Sequence, residues 1–171
     1  MIKLTEPSEA YLASYMQAYD EYQAAGIEDY AFTDAKSVDV LQKFADYHHE
    51  RNLKPNRVGA DYYWLVDDET QQFIGEITIR HRLNAALTRI GGHIGYGVRL
   101  SEQGKGFGTM MLKLALQKAA QMGLSEVLIT CDEGNIASRR VMEKNSCMLI
   151  DVIPNTADGK DILTRRYIRK L

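Results

Sequence analysis

Residues 91–109, GGHIGYGVRLSEQGKGFGT, hold seven of the chain's 13 glycines and limit the fold more than any other stretch. Glycines 91, 92, 95 and 97 fall inside a run that otherwise reads as a strand, 90–100. They forfeit packing surface there, so either a bulge or a ligand close to the backbone must account for them. Glycines 104, 106 and 108 then open a helix. Phe107, Met110, Met111, Leu114 and Ala115 recur at helical spacing over 106–122, and Gly123 stops it. A chain that turns from strand to helix through glycine presents bare backbone N–H groups and the positive end of the helix dipole. Holding a phosphate requires that arrangement; a merely flexible turn is the other reading.

Spacing excludes two familiar phosphate loops. In a GxxxxGK[ST] loop aligned on Gly104–Lys105, Arg99 would stand for the first glycine and Gly106 for the Ser/Thr. A GxGxxG fingerprint begun at Gly104 meets Thr109 at its last glycine, and the strand before it belongs to a meander rather than a βαβ unit.

The meander is read from strand signals at 62–66, 73–80 and 90–100, separated by a DDETQQ turn and a turn near 84–88. Before it come a short strand at 2–4, a helix begun by Pro7–Ser8 and ended near Gly26, and a second helix over 37–50 with Val40, Leu41 and Phe44 inward. After the glycine-led helix follow a strand at 126–131, a helix over 135–145 and strands at 148–153 and 162–168. The order implies an α/β (α+β) chain: a mixed, mostly antiparallel sheet of six to seven strands flanked by about four helices.

With 171 residues, 45 % apolar and 26 % charged, the chain can close one core without staples and is expected to be a single domain. Cys131 and Cys147 form no CxxC, and no His stands at ligand spacing to them. This argues against a metal site or a disulfide framework and for thiols in a reducing compartment. MIKLTEPSEA lacks a signal peptide's apolar stretch and no run is long enough to cross a bilayer, so a cytoplasmic protein without membrane attachment is expected. The net charge of −2 conceals an asymmetry. Residues 1–80 carry 7 Lys+Arg against 15 Asp+Glu, giving −8, and residues 81–171 carry 14 against 8, giving +6. The basic half lacks a nucleic-acid-binding module and aromatic interleaving, so no nucleic-acid partner is expected.

Gln103-x-x-Gly106-x-Gly108 is the Q/R-x-x-G-x-G/A signature, and the chain resembles the GNAT superfamily of acyl-CoA-dependent N-acetyltransferases. Asn135-x-x-Ser138-Arg139-Arg140-Val141-x-Glu143-Lys144 is similar to a run in the branch that includes ribosomal-protein N-terminal acetyltransferases. The resemblance is close over 72–150; the first seventy residues match by element order alone.

The resemblance implies acetyl-CoA as cosubstrate and no metal. Its pyrophosphate would rest on the amides of Gln103, Gly104, Lys105, Gly106, Phe107, Gly108 and Thr109, with Lys105 either adding charge or remaining a solvated loop lysine. Pantetheine would pair with the backbone of Val98 and Arg99. Asn135 and Ser138 would line the groove or simply cap a helix, and Lys144 would reach a CoA phosphate or join a surface ion pair with Glu143 or Glu133. Transfer to an amine needs a base, for which His93 is the first choice and Glu76 and Tyr96 the reserves, and an oxyanion donor, the N–H near Val98. The family's frequent acid, a Tyr seven residues after the Asn, is here Met142, which leaves Ser138, Cys131, water or no acid at all.

The acceptor is expected to be a small-molecule amine or a peptide or protein amine, drawn by Asp20, Glu21, Glu28, Asp29 and Asp34. Tyr11, Tyr15, Tyr19 and Tyr22 read as core or groove wall rather than a cation cage. The resemblance also admits a homodimer. Met142 motivates the alternative, a catalytically degenerate acyl-CoA-binding regulatory or interaction module.

Overall fold

An apolar run such as YYWLV at 62–66 suits a strand covered on both faces. The computed structural model describes residues 1–28, 32–157 and 159–171. In chain order it has β1 (Ile2–Thr5), α1 (Glu9–Ala24), α2 (Val40–His48), β2 (Ala60–Asp67), β3 (Gln72–Arg80), α3 (Ala85–Arg89), β4 (Ile94–Val98), a 3₁₀ turn (Leu100–Glu102), α4 (Phe107–Gln121), β5 (Glu126–Asp132), α5 (Ile136–Lys144), β6 (Met148–Ala157) and β7 (Lys160–Lys170). One seven-stranded sheet takes the order β1-β2-β3-β4-β5-β7-β6, antiparallel throughout except between β4 and β5.

Trp64 and Leu65 on β2 are both fully buried and point to opposite faces. Trp64, Val66 and Phe73 pack with Tyr11, Tyr15, Tyr22 and Phe44 beneath α1 and α2. Leu65, Ile77, Ile79, Ile94 and Ile129 pack with Met111, Leu112, Ala115 and Met142 of α4 and α5. Tyr15 stacks on Trp64 with ring centroids 4.7 Å apart, a contact worth about 0.5–1.5 kcal/mol beyond its buried area. The tyrosines of α1 are therefore largely core.

Three expected boundaries move for local reasons. The second helix begins at Val40 rather than 37, because the Asp39 carboxylate accepts the Gln42 N–H at 2.9 Å and caps it there. The turn near 84–88 closes into the short α3, whose N-cap Asn84 accepts from the Leu87 N–H. The strand expected over 90–100 is confined to 94–98, since Gly91 and Gly92 have φ of +105° and +62° and the chain enters a 3₁₀ turn at Leu100. Among the described residues no helix is long and apolar enough to cross a membrane.

Candidate active site

The site is built on what happens at the two ends of β4. At its start β4 is fastened to both neighbours: the His93 N–H donates to the Leu128 carbonyl at 2.7 Å, the Arg80 N–H to the His93 carbonyl at 2.7 Å, and Ile94 pairs with Ile129. Gly92 permits this closure, because a Cβ there would stand 2.2 Å from the Leu128 carbonyl oxygen. Beyond Ile94 the register between β4 and β5 ends while β3 and β4 stay paired to Gly75↔Val98, so the two parallel strands diverge into a split.

The Arg99 N–H donates to the Ile74 carbonyl on β3 at 2.7 Å. Successive N–H groups of a strand point to opposite edges, so the Val98 N–H turns toward the split. The Val98 carbonyl accepts the Tyr22 hydroxyl at 2.6 Å, and the same hydroxyl accepts the Gln103 side-chain amide at 2.8 Å. Tyr22 thus fixes the mouth of the split to α1, a role that its helical spacing did not disclose.

At that mouth the glycine motif acts through conformation. Gly104 and Gly106 have φ of +76° and +89°, and a Cβ at either would meet nothing within 4 Å: glycine is needed for the turn, and the space above it is open. Gly106 is the N-cap of α4. The first intrahelical bond runs from Met110 N–H to Gly106 carbonyl, leaving the amides of Phe107, Gly108 and Thr109 without a helical acceptor. Gly108 lies close to Val141 and Val98, letting the first turn of α4 seat against α5 and β4. An open, dipole-favoured cradle of this kind fits a diphosphate.

Other residues expected there have partners of their own. Lys105 pairs with Glu102 at 2.9 Å. Asn135 caps α5 by accepting the Ser138 N–H at 3.0 Å. Lys144 is exposed at the end of α5, while Glu133 pairs with Arg165 and Glu143 accepts the Tyr167 hydroxyl. The Arg99 side chain is not at the split: its guanidinium is buried against α1, bonding Glu21 at 2.7 Å and Ser14 at 3.0 Å.

The three candidate bases separate clearly. His93 is a clamp, its Nδ1 accepting the Leu128 N–H at 3.0 Å at the closed end of β4. Burial, and then the nearby Arg80, push its pKa down, so it is neutral there. Tyr96 reaches from β4 to α5, where its hydroxyl lies 2.7 Å from Ser138 Oγ. Burial raises its pKa, which keeps the phenol protonated and unsuits it as a base. Glu76 is 3 % exposed on β3, opposite Gly97, and accepts the Trp64 indole N–H at 3.0 Å. Burial pushes it up to about 7, with Trp64, Lys43 and Tyr15 acting the other way. A carboxyl balanced at neutral pH can take a proton and release it. Gly97 puts no side chain between this carboxyl and the strand that borders the split.

The acidic residues meant to draw a cation are mostly engaged within the fold. Asp20 pairs with Lys36 at 2.6 Å, Glu21 with Arg99 and Ser101, and Asp34 accepts from Lys36 and Ser37. Glu28 is exposed, and Asp29 lies outside the described residues. Cys131 is buried and its pKa is raised by that burial, which keeps it a thiol rather than a nucleophile.

No curated protein matches the chain by sequence. Among solved structures, RimL, a ribosomal L7/L12 alpha-N-protein acetyltransferase in complex with coenzyme A, matches with TM-score 0.74 at 18 % identity, covering 99 % of this chain and 94 % of that one. MccE, a microcin C7 self-immunity acetyltransferase in complex with acetyl-CoA and AMP, gives 0.75 at 17 %, covering 99 % and 92 %. A Salmonella typhimurium acetyl transferase that modifies the N-terminal serine of ribosomal protein L7/L12 gives 0.72 at 18 %, covering 99 % and 95 %. At such identities likeness speaks for the fold alone. The family model of the acetyltransferase (GNAT) domain matches residues 3–147, and on that ground the chain belongs to the GNAT acetyltransferase family.

Proposed function

We propose that the chain, as one catalytic domain in a reducing, cytoplasmic setting, moves an acetyl group from acetyl-CoA to a primary amine by direct attack within a ternary complex. The observation that carries this reading is the split between β4 and β5, closed at Ile94–Ile129 and opening onto the glycine-turned start of α4. The diphosphate sits on the amides of 107–109, and pantetheine runs down the split beside the outward edge of β4. The solved relatives bound to CoA or acetyl-CoA support this assignment.

Glu76, pushed up to about 7, takes the proton of the incoming ammonium through a water. The amine nitrogen then attacks the thioester carbonyl, whose oxygen gathers charge against the Val98 N–H, and the nitrogen gives up its second proton to solvent water. The C–S bond breaks as the carbonyl re-forms. The departing thiolate takes a proton from the Tyr96 hydroxyl, which recovers one from solvent through Ser138. Tyr96 thus supplies the donor that Met142 cannot, and this pairing speaks against the degenerate-module alternative. The acceptor is an amine on a small molecule or on a peptide or protein; RimL, a protein acetyltransferase, supports the second.

The test is a screen of polyamines, aminoglycosides, amino acids and short peptides with acetyl-CoA, following thiol release and acetylated product together. Stoichiometric product with at least one amine is expected. Tight acetyl-CoA binding with no turnover on any acceptor would instead favour the module.

A further inference from the structure

His48 closes α2, Asp61 is the second residue of β2, and His81 follows β3. Their intervals of 13 and 20 residues fit no short ligand motif, which is why sequence spacing gave no sign of them. The fold nevertheless brings them together. His48 Nδ1 and His81 Nε2 converge on one oxygen, Asp61 Oδ1, at 2.7 and 2.9 Å, and one ligand atom from each of the three residues lies within 4.8 Å of the others. This group is outside the β4–β5 split.

We propose that His48, Asp61 and His81 bind one zinc-class divalent ion, through His48 Nδ1, His81 Nε2 and an Asp61 carboxylate oxygen. Two imidazoles and a carboxylate are a donor set that suits zinc, and three protein ligands leave a fourth position for water. Zinc ligands at their usual lengths stand about 3.3 Å apart in a tetrahedral shell. The two His–Asp separations therefore widen by about half an ångström, which His48, exposed at a helix end, has the freedom to allow. Each ring nitrogen that now donates to Asp61 gives its place to the ion, and the ring's proton moves to its other nitrogen.

For His81 a receiver for that proton is already in position. Nδ1, its outer nitrogen, lies 3.5 Å from Glu50 Oε1, and Glu50 is itself gripped by both terminal nitrogens of Arg82. A carboxylate behind a ligating imidazole fixes the ring's tautomer and orientation. The arrangement depends on two backbone features. Glu50 adopts a left-handed φ of +53°, and Gly59 leaves room that a Cβ would fill at 2.4 Å from Glu50 Oε1 and 2.5 Å from His81 Nδ1. The bound ion would pin the end of α2, whose Phe44 and Lys43 cover the Glu76 side of the sheet, to β2 and β3. The acetyl transfer argued above uses no metal, so this site stands independently of it.

The full chain, freed of any tag and stripped with EDTA, is titrated with Zn²⁺ by calorimetry and with Co²⁺ by visible absorption. One ion per chain is expected, with Co²⁺ giving the intense ligand-field bands of low coordination and Zn²⁺ raising the melting temperature. His81→Ala and Asp61→Asn should weaken binding by at least about 100-fold, and Glu50→Gln by about 10–100-fold with the stoichiometry kept. His48→Ala, at an exposed position, gives the same reading if the less exposed variants do not fold. His49→Ala should bind as the parent does. Absence of saturable one-to-one binding overturns the proposal. So does binding that survives His81→Ala, or that is lost on His49→Ala alone.

Discussion

The two ends of β4 are four residues apart and use glycine for opposite purposes. At the closed end, Gly92 makes room: a side chain would run into the backbone of Leu128. At the open end, Gly104 and Gly106 have nothing near them and serve only to turn the chain, so that α4 begins with bare amides facing space. Glycine at the first end is a requirement of packing, glycine at the second a requirement of conformation and access. The same contrast divides the candidate bases, since His93 belongs to the closure and Glu76 faces the glycine strand beside the opening.

The largest effect expected from breaking this comparison is at Glu76. Glu76→Gln should lower kcat/KM by about 10²–10⁴ at neutral pH. The parent's kcat/KM should rise as pH passes through about 7, where the carboxyl loses its proton, and the variant should lose that rise. Stability moves the other way. The folded pKa lies above the ordinary 4.5, so the neutral carboxyl's contribution is complete below 4.5 and declines as pH rises through about 7. Urea unfolding across that window should show the decline in the parent and a flatter profile in Glu76→Gln.

Next in size is the open end. Gly106→Val forces a branched residue into φ +89°, a strain of about 1–3 kcal/mol that the loop relieves by shifting its amides. Acetyl-CoA affinity should fall by about 10–100-fold, a drop of the same order as that strain. Tyr96→Phe should cost kcat about tenfold, less than a full acid role, because a thiol of pKa ~8.5 leaves readily on its own. The smallest effect on activity belongs to the closed end. His93→Ala should leave kcat/KM within about twofold across pH, yet lower stability by about 1–3 kcal/mol, since the half-buried Leu128 N–H loses its acceptor. A loss of activity matching that of Glu76→Gln would return His93 to the chemistry.

Much of the strand–turn–helix around the glycine motif could be read from the sequence, because glycine reports backbone conformation directly. The glycine-led helix forms at nearly its expected bounds, 107–121 against 106–122, although the strand before it is about half as long as its sequence signal implied. Side-chain partnerships across the sheet were not legible. Nothing local tells that Arg99 turns inward to Glu21, that Lys105 folds back on Glu102, or that Tyr22 reaches Val98 from 76 residues away. The choice between His93 and Glu76 had the same character: both sit on adjoining strands, and only the register with β5 on one side and with Gly97 on the other separates them. The charge asymmetry was visible, but its meaning was not, since Asp20, Glu21 and Asp34 are held by lysine, arginine and backbone partners within the fold.

The open end of the split is the proposed seat of acetyl-CoA, and calorimetric titration of acetyl-CoA into the parent chain and Gly106→Val tests that placement most directly. One molecule bound per chain, with affinity reduced about 10–100-fold in a Gly106→Val variant that still unfolds cooperatively, is the predicted result. No heat of binding to the parent at any accessible concentration, or equal affinity in the two proteins, would contradict it.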